Sequence, residues 1–219
     1  MNESVDANPV VEQLVEGYKK FHQKYFESAD RKLYQDLVEK GQSPKTMVIS
    51  CSDSRVDPAT ILNCAPGEIF VIRNVANLVP PCEEDNKHHG TSAALEFAVC
   101  FLKVEHIIIF GHTHCGGIQA LLSEKAAPAS SKRGFIQSWM DIASKAKEQA
   151  LAEPASSEIQ EQRCCEYSLV ASLENLKTFP WIVRRIAAGT LELHAWYFDL
   201  ETGQVKSFNP EKQRFAGLI

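Results

Sequence analysis

Apolar positions recur at helical spacing along the start of the chain. Over residues 10–26 they are Val10, Val11, Leu14, Val15, Tyr18, Phe21, Tyr25 and Phe26, the stripe of an amphipathic helix. A shorter helix is expected next, with Asp30 as N-cap, Leu33, Tyr34, Leu37 and Val38 as its stripe, and Gly41 ending it. The pattern then changes. Residues 45–52 (KTMVISCS), 68–74 (EIFVIRN) and 106–112 (HIIIFGH) are short apolar runs rich in strand formers. Between the last two, Ala94, Leu95, Ala98, Phe101 and Leu102 suit a buried helix. Short apolar strands alternating with helices predict a parallel sheet covered on both faces.

Further on, the spacing is helical from residue 118, loop-like over 125–134 and helical again over 134–150. After a second loop (EPASSE) another helix runs to Phe179 and Pro180, and a short helical turn follows over 181–189. In the last strand, over 190–200, Leu191, Leu193, Ala195, Tyr197 and Asp199 alternate with Glu192, His194, Trp196 and Phe198. ETGQ reads as a turn before a tail with strand character. The expected fold class is α/β: a mostly parallel central sheet flanked by helices, with an N-terminal helical arm and a C-terminal strand. No internal repeat or low-complexity linker interrupts the chain. Residues 1–219 therefore read as a single domain, with 1–42 as an arm placed to pack on a partner subunit.

Composition narrows the function classes. A chain of 219 residues can bury a substantial core without staples. Its formal charge of −5 gives no footing for nucleic acid or an anionic membrane. Apolar runs such as IIIF are far too short to span a bilayer. The first residues show no basic segment followed by an apolar core, so a cytoplasmic protein is expected. Seven cysteines, an odd number without scaffold-like spacing, favour a reducing compartment and metal or thiol chemistry for some of them. The adjacent Cys164 and Cys165 read as incidental, because neighbouring cysteines bridge only with strain.

Two strand ends concentrate the chemistry. One carries Cys51, Asp53 and Arg55; the other carries His112, His114 and Cys115, followed by Gly116 and Gly117. Ligands gather at the carboxyl ends of strands in open parallel sheets, so the two segments can meet in space. A phosphatase-type nucleophile is disfavoured: only three residues separate Cys51 from Arg55, and Asp53 would face the phosphate. A C-x-x-C redox pair is absent. Two thiolates and one imidazole form a soft set suited to zinc, and three protein ligands leave a position open, as in catalytic sites. His114 is too near Cys115 and His112 in the chain to complete the set. Asp53 either binds the metal or accepts a hydrogen bond from its water, and pairing with Arg55 would hold it off the metal, ionised.

The motifs CSDSRV (51–56), PGE (66–68), RNVAN (73–77) and GHTHCGG (111–117) closely resemble those of the β-class carbonic anhydrases. The resemblance is strong from about residue 43 to 122 and weaker to the final strand, and it looks closest to the plant-type branch. It implies zinc, one per subunit, on Cys51, His112 and Cys115, with Asp53 and Arg55 as a catalytic dyad. The implied activity is reversible hydration of carbon dioxide to bicarbonate and a proton, by attack of zinc-bound hydroxide. Gln42, Phe70, Val75 and Phe97 would line the substrate pocket, Gln42 and Phe70 entering across the interface of a homodimer or multiple of dimers. At Phe97 plant-type members commonly carry tyrosine. Gly116 would allow close approach of substrate to its backbone N–H. His88, His89 and His114 are candidate proton shuttles. A second branch has a regulatory bicarbonate site with tryptophan and glycine where this chain has Val48 and Ser50, so no such site is expected. Carbon disulfide or carbonyl sulfide hydrolysis, and a coordinatively closed, non-catalytic zinc module, are the competing readings.

Overall fold

The computed structural model describes residues 8–83, 85, 87–123 and 134–219. Most of the expected 125–134 loop and the first seven residues lie outside the described residues. The chain divides into two compact units, 1–42 and 43–219.

The first unit holds helices α1 (Pro9–Phe26) and α2 (Arg31–Lys40). Asn8 caps α1, its Oδ1 accepting the Val10 N–H at 3.0 Å, and Pro9 starts the first turn, where no donor is needed. Asp30 occupies the N-cap position of α2, as expected, but its side chain makes no capping bond. Its backbone is already helical (φ −72°, ψ −7°), whereas a capping side chain needs the extended conformation to reach back to the first free N–H groups. Gly41 ends α2 with φ +73°, a conformation that favours glycine. Tyr34 packs against Phe21, Tyr25 and Phe26 with ring centroids 4.9–5.8 Å apart. No residue of either helix is buried, and Val10, Leu14, Tyr18 and Val38 stay exposed.

The second unit is built on six strands: β1 (Thr46–Cys51), β2 (Ile69–Asn74), β3 (His106–His112), β4 (Glu192–Phe198), β5 (Val205–Asn209) and β6 (Arg214–Gly217). Their order is β2-β1-β3-β4-β5-β6; the first four are parallel, and β5 and β6 add an antiparallel edge. The predicted last strand is thus followed by two more. Because β2 and β3 flank β1 on opposite sides, the chain reverses its direction of winding at β1. The carboxyl ends of β1 and β3 define the switch point where such sheets bind ligands.

On one face Met47, Ile49, Ile107, Ile109, Ala195 and Tyr197 enter the main core. A smaller cluster of Val48, Ile108 and Phe110 occupies the other. Both sets are near-fully buried, which explains why the strands read as continuous apolar runs. Helices α3 (Pro58–Ile61), α4 (Gly90–Glu96), α5 (Gly116–Leu122), α6 (Phe135–Met140), α7 (Ser144–Leu151), α8 (Ser157–Leu176) and α9 (Pro180–Ala187) complete the unit. The helix expected between β2 and β3 loosens at Phe97–Phe101 into a π turn, which directs Phe97 and Phe101 outward. The single helix expected over 134–150 is broken at residues 141–143 by a 3₁₀ turn.

Helix α8 buries Cys164, Cys165, Ser168, Leu169, Ser172 and Leu176. Leu169 lies so near β3 that a Cβ at Gly111 would sit 3.0 Å from its Cδ2. Both cysteines of the adjacent pair are core residues, and burial pushes both thiols up, so they remain protonated.

Candidate active site

Cys51 closes β1, His112 closes β3, and Cys115 stands at the N-cap of α5. The tertiary structure brings these three together: their ligating atoms lie within 4.8 Å of one another and all three residues are buried. The two Sγ atoms are 4.0 Å apart. The His112 Nδ1–H donates to the Thr113 carbonyl at 2.7 Å, which leaves Nε2 with its lone pair free. That Nε2 is buried without a hydrogen-bond partner among the described residues. An orphaned buried nitrogen facing two thiols costs free energy unless a cation meets it. The donor set and its placement fit zinc.

The thiols differ. The hydrogen bond from Cys115 lowers the Cys51 pKa against the effect of burial, and His112 and the Asp53 N–H, 3.4 Å from its Sγ, add to the lowering. Cys115 is shifted up, by sharing its proton with Cys51 and by burial. The pair therefore releases one proton readily and holds the second, which a cation would displace.

Asp53 lies outside this cluster. Its Oδ1 accepts from the Arg55 backbone N–H at 3.0 Å and Nε at 2.9 Å, and its Oδ2 from Nη2 at 2.7 Å. These bonds hold the Asp53 carboxyl well below the usual carboxylate range. Arg55 is anchored in turn, its Nη2 donating to the His114 carbonyl at 2.9 Å. His114 itself turns away from the thiols: its Nε2 is 3.0 Å from Glu201 and its Nδ1 3.6 Å from Glu161. His89 is paired with Asp85 at 2.5 Å, and His88 is exposed.

Two contributors have roles that motif reading did not assign. Arg73, on β2, donates to the carbonyls of Cys51 (2.9 Å) and Asp53 (2.6 Å) and so clamps the loop that presents the dyad. An arginine on a strand otherwise rich in apolar residues was the available signal. Gly117 is the second: a Cβ there would lie 2.9 Å from Val75 Cγ1 and 3.1 Å from Ala76 Cβ. At Gly116 it would meet nothing within 4 Å. Close approach to the RNVAN turn thus requires glycine at 117.

Among the predicted pocket residues, the Phe70 and Phe97 rings are 5.9 Å apart, and Phe97 continues outward to Phe101 at 5.6 Å. Val75 lies on the turn after β2, where its carbonyl accepts from Trp139 Nε1 at 2.7 Å. Gln42 belongs to the first unit.

A family model described as carbonic anhydrase matches residues 46–205. The chain belongs to the β-class carbonic anhydrase family. A relative, beta carbonic anhydrase 5, chloroplastic, from Arabidopsis thaliana, is 44% identical over 168 residues, 76% of this chain and 54% of the relative. The chain thus spans about half the length of that curated relative. The solved structure of the β-carbonic anhydrase CcaA superposes with a TM-score of 0.86 at 31% identity, covering 97% of this chain and 93% of the other. A structure of two tetrameric β-carbonic anhydrases from Sordaria macrospora matches at 0.71 and 29% identity, with 96% of each chain covered. The Coccomyxa β-carbonic anhydrase in complex with acetazolamide matches at 0.73 and 29%, covering 93% and 86%. These carbonic anhydrases share the mostly parallel sheet. Among the described residues no helix is long and apolar enough to cross a membrane.

Proposed function

We propose that this β-class carbonic anhydrase chain catalyses the zinc-dependent, reversible hydration of carbon dioxide to bicarbonate and a proton. One observation carries the reading. The Asp53 carboxylate is held by Arg55 beside a buried Cys–His–Cys group rather than turned into it. A closed, non-catalytic zinc module has no use for such a pair.

Cys51, His112 and Cys115 would hold the zinc. When bound, zinc supplies Lewis acidity, which in the three-histidine carbonic anhydrases lowers the pKa of a coordinated water from 15.7 to about 7. The chain's own residues do the rest. Arg55 keeps Asp53 ionised and occupies three of the roughly four acceptor positions of its carboxylate. The remaining position, on Oδ2, can accept a proton-bearing oxygen of the reacting molecule and fix its orientation. Arg73 holds the Cys51–Asp53 backbone, so acceptor and ligand keep a constant separation. Phe70, Val75 and Phe97 would give the uncharged substrate an apolar wall, and the Gly116 N–H would steady one of its oxygens.

The exposed Phe97 and Phe101 and the unburied apolar stripe of α1 support a homodimer or a multiple of dimers, with Gln42 and Phe70 serving a partner's site. Val48 and Ser50, both fully buried, and the closed Asp53–Arg55 pair support a site without bicarbonate regulation. Seven free cysteines suit a reducing compartment such as the cytoplasm. Stopped-flow hydration of carbon dioxide is expected to be fast with zinc and lost on chelation. Activity that survives removal of all bound zinc would refute the reading.

A further inference from the structure

At the opposite end of β3 from the thiols lies a second convergence of metal-binding side chains. His106 opens β3, and its register partner on β4 is Glu192. His194 stands two residues further along β4 and therefore on the same face. His106 Nδ1 is 3.2 Å from His194 Nε2, and each of these nitrogens is 3.8 Å from Glu192 Oε2. A tetrahedral ion with bonds of about 2.0–2.1 Å spaces its donors about 3.3 Å apart. The triangle is within a small side-chain adjustment of that.

We propose that His106, Glu192 and His194 form a second site, for a divalent transition metal of the zinc, nickel or copper type. Two imidazoles and one carboxylate are the donors these ions prefer, and three ligands leave positions for water. The Glu192 carboxylate has no lysine or arginine partner among the described residues, so its charge is free to serve a cation. The three side chains are 30–70% exposed, which gives an ion a route in from solvent. Burial and the neighbouring His106 lower the His194 pKa, favouring the neutral ring that ligates. Without a metal the two rings share one N–H···N hydrogen bond. Six residue steps along β3 separate His106 from His112, about 20 Å, so this ion would not join the first in a dinuclear centre. It would instead pin β3 to β4. The inference does not depend on the proposed activity.

The test starts from the zinc-loaded protein, dialysed against an excess of free Zn²⁺. A second equivalent of zinc per chain is expected, weakened about tenfold or more in both His106→Gln and His194→Gln, since even residues behind metal ligands cost about that much. In the unsubstituted protein, paramagnetic Ni²⁺ should broaden the imidazole signals of His106 and His194 before those of His22, His88 or His89. A single equivalent in the starting protein would overturn the proposal. So would a second equivalent that survives both substitutions, or Ni²⁺ broadening that begins at His89, whose ring lies near Glu83 and Asp85.

Discussion

Strand β3 carries a histidine-centred group at each end, and the two are built of opposite materials. At the carboxyl end His112 is 1% exposed, faces two cysteines and has an orphaned nitrogen. At the amino end His106 and His194 remain partly open to solvent, satisfy each other and have a carboxylate in reach. The difference lies in what each end costs without a cation. The buried end leaves a polar atom unpaired among the described residues, so a metal bound there would add to its stability. The exposed end is already hydrogen-bonded, so a metal there has to displace a proton and water.

The contrast can be broken or sharpened by substitution. His112→Gln has the largest expected effect: zinc content should fall below one per chain and carbon dioxide hydration by about a thousandfold or more, since the lost Lewis acidity is worth several kcal/mol. Full activity with normal zinc content would remove the buried end from the chemistry. Arg55→Ala releases Asp53, and a misdirected acceptor should lower the hydration rate by about a hundredfold while bound zinc is retained. An unchanged rate would show the dyad to be idle.

Packing sharpens the comparison further. Gly117→Ala drives a methyl group against Val75 and Ala76 and should lower the stability seen in urea unfolding by about 1–3 kcal/mol. A neutral result would mean that the turn relaxes freely. Asp57 caps α3, its Oδ1 accepting the Thr60 N–H at 2.8 Å, and that bond lowers its pKa below the ordinary 3.8. Its contribution is therefore complete above pH 3.8 and is lost as pH falls through the lower folded value. Asp57→Ala should cost about 1 kcal/mol at neutral pH, with the gap to the parent closing in acid. A gap that persists after the carboxyl is protonated would assign the loss to packing. The smallest effect is expected at the open end, where His194→Gln without added metal should cost only about 0.5–1 kcal/mol, one partly exposed hydrogen bond. A much larger loss on thermal melting would mean that the amino end is as integral as the other.

The Cys–His–Cys grouping, the Asp53–Arg55 pairing and the alternation of strands with helices were legible because each rests on local chemistry: residue type, spacing and position at a strand end. Asp30 shows the limit of that reading. The right residue stands at the right place, yet its backbone conformation withholds the cap. The π turn at Phe97 and the break at residues 141–143 were likewise invisible, and the strand character of the tail did not show that it divides into the paired strands β5 and β6.

The order of residues alone pointed to Cys51, His112 and Cys115 as one soft donor set and put Arg55 two residues from Asp53. Within each of the two strand-end segments the side chains concerned are only two to four residues apart. Tertiary packing was needed to make β1 and β3 neighbours at a winding reversal and to leave the His112 nitrogen without a partner among the described residues. The tertiary structure also showed that Arg73 holds the loop, that Gly117 and not Gly116 is packed against the turn after β2, and that two further histidines meet at the far end of β3. Strand register and close approach between distant segments create those relations, and neither is written in any short stretch of the chain.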